Sequence, residues 1–129
     1  MLPGKLLSVL ALAAALGSCA APERLVEPTV EHVVLCWLVE PVTDEAKARV
    51  IAASEELVVI PEVLSVTAGT ALPSEREIVD DSFDVGIVIG FRSEQDLATY
   101  LVHPEHVSRV EAVFGPLSER ILIYDVIRR

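Results

Sequence analysis

The chain has 129 residues, a formal net charge of −10 and 52% hydrophobic residues, with few aromatics among them. This length suits a single domain, and the apolar content favours a globular core over disorder. The negative charge repels phosphate backbones and anionic lipid head groups, so it argues against nucleic acid as a partner and against membrane attachment through a basic patch.

The first 18 residues are typical of an export signal. Lys5 supplies a positive charge, and Ser8 is the only polar residue in the run from Leu6 to Leu16. A run of this length fits the apolar region of a signal and is too short to span a bilayer comfortably. Small residues then lead into Cys19, an arrangement that resembles the bacterial lipobox. The resemblance implies that the chain is cleaved before Cys19, which becomes the first residue of the mature protein and carries lipid, including palmitate.

Two alternatives to lipidation of Cys19 stay open. The first is an ordinary secretory signal that is cut after Ala20 or Ala21, with Cys19 incidental. The second is a disulfide between Cys19 and Cys36, the only other cysteine. If Cys19 is lipidated, Cys36 is a small hydrophobic residue inside a strand. The protein is then a lipid-anchored envelope protein facing the periplasm or the exterior, and Ala20 weakly favours the outer membrane.

Residues 19–30 form a tether before the domain, which we assign to residues 31–129. Aliphatic and β-branched runs predict four strands, over 32–39, 63–72, 83–92 and 121–127. Thr43 is the predicted N-cap of a helix that stops at Pro61. Residues 73–81 form a polar loop.

The second helical region is predicted in two pieces. Ser93 and Asp96 form a capping box that opens a short helix. Pro104 begins the next helix, which ends at Gly115 and Pro116.

This order, β-α-β-β-α-β, predicts an α+β ferredoxin-like fold: an antiparallel sheet with helices on one face. A sheet with one solvated face should alternate apolar and polar residues. Here Gly86, Val88 and Gly90 lie opposite the inward face of the third strand, and the last strand is apolar on both faces. The uncovered face therefore predicts a homodimer, a dimeric α/β barrel formed with a second copy of the sheet.

The most specific segment is 98–107, which contains Tyr100, His103, Pro104, His106 and Val107. It resembles the Tyr-x-x-His-Pro-x-His-Val signature of the stress-responsive α/β-barrel (Dabb) domain. Supporting matches run in the same order along the chain, at His32-Val33-Val34-Leu35, Ile60-Pro61-Glu62-Val63, Phe83-Asp84-Val85-Gly86 and Ile123-Tyr124-Asp125. Glu62 departs from the family's usual glycine. The resemblance spans residues 31–126, essentially the whole domain.

The resemblance implies a dimeric barrel with a cavity between sheet and helices. Most members of the family have no established reaction. A plant polyketide cyclase of the family uses a tyrosine and a histidine, which correspond to Tyr100 and His106. His32 and His103 match other histidines of the family, so these four residues are the candidate catalytic set.

The residue types support this chemistry and also a structural alternative. His106 can act as a general base that removes a proton next to a carbonyl, and Tyr100 can donate a hydrogen bond to the developing enolate oxygen. Alternatively, Tyr100 is a core residue, His103 caps the following helix and His106 ties helix to sheet. His32 at a strand start is then a buried structural histidine.

Three functional hypotheses follow. The first is a lipid-anchored dimer whose cavity binds a small apolar molecule, with no known reaction. The second is an enzyme of the cyclase or lyase type, and the third is an interaction module for an envelope partner. We expect no metal, because the histidine spacing lacks a further Cys or carboxylate ligand. We also expect no cofactor, and the sequence has no Gly-rich phosphate loop.

Overall fold

The computed structural model describes residues 26–129, which form a four-stranded antiparallel sheet with the order β2-β3-β1-β4. The strands are Val30–Leu38 (β1), Val63–Thr70 (β2), Val85–Phe91 (β3) and Ser118–Ile127 (β4). The helices are Asp44–Glu55 (α1), Glu94–Leu101 (α2), Pro104–Arg109 (α3) and Gly115–Leu117 (α4), and they cover one face. The predicted ferredoxin-like fold is confirmed.

The predicted helix starts are present, with one difference in detail. Thr43 Oγ1 accepts a hydrogen bond from the Ala46 amide, and Ser93 Oγ accepts one from the Asp96 amide, each at 3.1 Å. The Asp96 carboxylate accepts from Arg92 Nε at 2.8 Å, so only the serine half of the predicted capping box forms. The guanidinium offers this carboxylate a charge-assisted hydrogen bond in place of the one to the N-cap amide.

The last helical region is longer than predicted. After α3 the chain makes a π-helical turn over Val110–Phe114 and continues into α4, which ends at Leu117, one residue beyond the predicted end at Gly115 and Pro116. The Gly115 amide donates to the Val110 carbonyl, five residues back. In a regular α-helix the ring of Pro116 would clash with a carbonyl group of the preceding turn. The wider π-helical turn leaves more room for this ring.

The core lies between the helices and the inward side chains of β1 and β3. Val85, Phe91 and Cys36 are completely buried there. The Cys36 thiol is free, and burial raises its pKa. It therefore packs as a small hydrophobic residue, as predicted, and an inaccessible thiol is a poor nucleophile.

The opposite face of the sheet carries apolar side chains in register across three strands. Val33 of β1 lies between Val88 of β3 and Tyr124 of β4, and Leu35 pairs with Leu122 on the next rung. Val88 and Tyr124 are exposed. This apolar face is left uncovered by the helices of the same chain.

The predicted signal, Cys19 and most of the predicted tether lie outside the described residues. Within residues 26–129, no helix combines the length and the apolar character needed to cross a bilayer.

Candidate functional site

A cavity of about 250 Å³ lies between the sheet and the second helical region. Its walls are mainly aliphatic and come from β1, β3, β4 and the π-helical turn: Val34, Ile87, Ile89, Ile121, Ile123 and Val110. Three hydrogen-bonding side chains also line it, those of His32, Tyr100 and His106. A largely apolar pocket with a few polar groups is the usual form of a small-molecule site.

His32 is positioned by strand pairing. It lies opposite Asp125 in the register of β1 with β4, and its Nδ1 is 2.6 Å from Asp125 Oδ1. The His32 side chain is 4% exposed, whereas the Asp125 side chain is half-exposed at the edge strand. A buried polar ring needs such a partner, because an unpaired buried donor or acceptor is costly.

Tyr100 lies at the centre of an aromatic cluster. Its ring is 2% exposed and its centroid is 5.0 Å from that of Phe91, 4.4 Å from that of His106 and 6.0 Å from that of His32. Burial raises the pKa of Tyr100 well above its ordinary value. The phenol therefore keeps its proton near neutral pH and can act as a hydrogen-bond donor.

His106 comes from the first turn of α3, and its ring is directed back to the cavity. Its Nδ1 is 3.0 Å from the carbonyl oxygen of Leu101, the last residue of α2. Burial lowers the pKa of His106, and the nearby His32 adds to this effect, whereas the bond to Leu101 opposes it. The ring is therefore biased towards its neutral form, which is the form that can accept a proton.

His103 is separate from these three residues. Its Nδ1 accepts a hydrogen bond from the Glu105 amide at 3.2 Å, and it is the N-cap of α3. It is absent from the cavity lining. The structure thus brings together His32, Tyr100 and His106, and it places His103 in the capping position that the structural alternative predicts.

Asp125 contacts His32 directly, a role that its place in the Ile123-Tyr124-Asp125 match did not predict. The available signal was a lone acid within the apolar run of β4. Its significance depends on the register between β1 and β4, which joins residues 93 positions apart.

The arrangement suits hydrogen bonding and proton transfer to a small molecule. Two imidazoles and one phenol meet at an otherwise apolar cavity, in which hydrogen bonds are stronger than in water. Within residues 26–129, no cluster of three or more His, Cys, Asp or Glu residues is placed to hold a metal ion.

Several solved structures are similar to this chain. Hydroxynitrile lyase from Passiflora edulis has 22% identity and a TM-score of 0.67, with 78% of this chain and 93% of that chain covered. A Dabb family protein with a ferredoxin-like fold from Mesorhizobium loti has 21% identity and a TM-score of 0.62, with 78% and 96% covered. These likenesses show the fold.

A dimeric protein with a ferredoxin-like fold from Bacteroides fragilis is also similar, with 21% identity and a TM-score of 0.59 over 77% of this chain and 95% of that chain. Among proteins with curated descriptions, none matches this chain. The family model described as Stress responsive A/B Barrel Domain, abbreviated Dabb, matches residues 30–128. This match covers the whole described fold and includes all of the cavity residues, so the chain belongs to the stress-responsive A/B barrel domain family.

Proposed function

We propose that this domain binds a small, largely apolar molecule in the cavity between its sheet and its helices. The observation that carries the proposal is the cavity itself, with aliphatic walls and three hydrogen-bonding side chains. Burying the apolar part of a ligand there contributes about 25 cal/mol per Å² of surface removed from water. The polar groups then fix its orientation.

Native mass spectrometry of the protein purified from its host tests this proposal. We expect a bound small molecule, and an empty cavity in every preparation would count against it. Val110 and Val107 offer a matched pair, because they are 37% and 40% exposed but only Val110 lines the cavity. Val110→Trp should reduce the bound fraction, whereas Val107→Trp should leave it unchanged.

A second candidate function is an enzyme of the cyclase or lyase type. It is favoured by the 4.4 Å separation of the Tyr100 and His106 rings at one cavity. In this function His106 Nε2 removes a proton from the carbon next to a carbonyl group. The electron pair moves to the carbonyl oxygen, and Tyr100 donates a hydrogen bond to the resulting enolate. That a similar fold in Passiflora edulis is a hydroxynitrile lyase adds support for the lyase class.

Deuterium exchange into acetophenone tests this candidate. In D₂O, the proton taken by His106 exchanges with solvent, and deuterium returns to the methyl carbon. We expect the full chain to accelerate this exchange and His106→Gln to abolish the acceleration. His103→Asn is the control, because it keeps a side chain that can cap α3 and leaves the cavity intact. Equal exchange with His106→Gln and with the wild type would rule out His106 as the base.

We also propose that the protein is a homodimer joined through the apolar face of the sheet. Val33, Leu35, Val88 and Tyr124 form a face that its own helices leave open, and the similar protein from Bacteroides fragilis is dimeric. Light scattering after gel filtration should give twice the chain mass. Val88→Lys should yield a monomer, whereas Val102→Lys, on an exposed helix end, should remain dimeric.

For localisation, we propose a lipid anchor at Cys19 in the bacterial envelope. The support is the sequence pattern around Cys19, together with an acidic chain that would repel anionic lipids. Labelling in vivo with a palmitate analogue should mark the wild type and not Cys19→Ala. Labelling of both proteins would contradict the anchor. Membrane fractionation of the labelled protein tests the outer membrane, which Ala20 favours.

A further inference from the structure

The two cavity histidines share a constraint on their ring nitrogens. Nδ1 of His32 is 2.6 Å from a carboxylate oxygen of Asp125, and Nδ1 of His106 is 3.0 Å from the carbonyl oxygen of Leu101. An ionised carboxylate and a carbonyl can only accept hydrogen bonds. The proton of each neutral imidazole therefore lies on Nδ1.

This assignment leaves Nε2 of both rings as a bare acceptor. A neutral imidazole carries one proton, so a ring that donates through Nδ1 must accept through Nε2. Among residues 26–129, neither Nε2 has a hydrogen-bond partner. His103 has the opposite arrangement, since its Nδ1 accepts from the Glu105 amide and its proton must lie on Nε2.

The polar end of the cavity therefore presents two acceptor nitrogens and one hydroxyl group. We infer that the cavity prefers an apolar ligand with a hydroxyl group that donates to Nε2 of His32 or His106, and that Asp125 is a positioning residue that makes His32 an acceptor. The ligand class rests on the proposed function, whereas the role of Asp125 does not. Such a site disfavours an analogue that lacks the hydroxyl group. When this analogue binds, the acceptor nitrogens lose contact with water and gain no hydrogen bond in return.

The role of Asp125 can be tested without any ligand. The measurement is long-range ¹H–¹⁵N NMR of the full chain with labelled histidine. A pH of about 8 is chosen because ordinary histidines are neutral there. We expect His32 and His106 to carry the proton on Nδ1 and His103 on Nε2, which serves as an internal reference. A proton on Nε2 of His32 in the wild type would overturn the inference.

Substitutions in β4 distinguish an effect of Asp125 on the His32 tautomer from a general effect on the strand. Asp125→Ala should shift His32 to a mixture of tautomers, whereas Asp125→Asn retains an oxygen acceptor and should preserve the Nδ1 proton. Glu119→Ala is the matched control, because it removes one acid from the same strand away from the cavity lining. An unchanged His32 spectrum in Asp125→Ala would show that Asp125 does not position the ring.

The ligand class is tested with 4-ethylphenol and ethylbenzene, which differ by one hydroxyl group. We expect the wild type to bind 4-ethylphenol roughly tenfold more tightly, as one hydrogen bond to a buried acceptor implies. Asp125→Ala should reduce this preference, and Glu119→Ala should keep it. If neither probe binds, the proposed function fails together with the ligand class. If both bind equally, the proposed function stands and the hydroxyl preference is wrong.

Discussion

The rings of Tyr100 and His106 lie 4.4 Å apart although Pro104 begins a new helix between them. α2 ends at Leu101, and the bond from His106 Nδ1 to the Leu101 carbonyl draws the ring back across the break. The helix break thus holds the two side chains at one cavity. Their closeness is the geometric condition for a shared chemical role.

Tyr100→Phe should separate the chemical role of the hydroxyl group from the packing role of the ring. The ring is buried against Phe91, so Phe should preserve the free energy of unfolding to within about 1 kcal/mol. Tyr100→Ala should cost about 3–5 kcal/mol, because it leaves a cavity in the core. Urea unfolding measures both. A loss with Phe as large as with Ala would mean that the hydroxyl group is itself a structural contact.

The free energy of unfolding should fall as the pH drops through the range in which His106 becomes protonated. Burial lowers the folded-state pKa of His106, so the unfolded chain takes up a proton first. The resulting stabilisation is present above the ordinary histidine value of about 6.5 and is lost as the pH falls towards the folded-state pKa. Urea unfolding of His106→Gln should therefore show a weaker loss of stability between about pH 7.5 and 5.5 than the wild type. An identical pH dependence in both proteins would contradict this assignment.

Gly90→Ala should destabilise the protein, because β3 lies close to β2 and to the segment before β1 at this position. A Cβ atom at Gly90 would lie 2.6 Å from Ser65 Oγ and 2.8 Å from Pro28 Cβ. Such overpacking costs about 1–3 kcal/mol, and thermal unfolding should show a lower midpoint. Gly69→Ala is the control, because an added Cβ there meets no atom within 4 Å. Equal effects of the two substitutions would argue against the steric cause.

His103→Ala should weaken the fold and leave the cavity unchanged. Loss of the bond from the Glu105 amide should cost about 1 kcal/mol of unfolding free energy, the usual effect of removing an N-cap. His103→Asn should restore most of this loss, since Asn is a favourable N-cap. Calorimetry measures the stability, and binding of 4-ethylphenol checks the cavity. A loss of binding in His103→Asn would return His103 to the functional set.

Much of the architecture could be predicted because it depends on local patterns. Pro104 and the caps Thr43 and Ser93 mark helix starts through the geometry of a few neighbouring residues. The end of the last helix was less predictable. A π-helical turn before Gly115 carries the chain past a point where Gly and Pro usually stop a helix.

The sequence by itself determined the order of strands and helices, the family and the cluster of candidate residues from Tyr100 to His106, because each depends on spacing along the chain. Only the tertiary structure decided which of these residues share a cavity. His103 turns to its own helix end, whereas His32 joins the cavity from a strand far away in sequence. The partnership of His32 with Asp125 follows from strand register, a long-range pairing that no local pattern specifies.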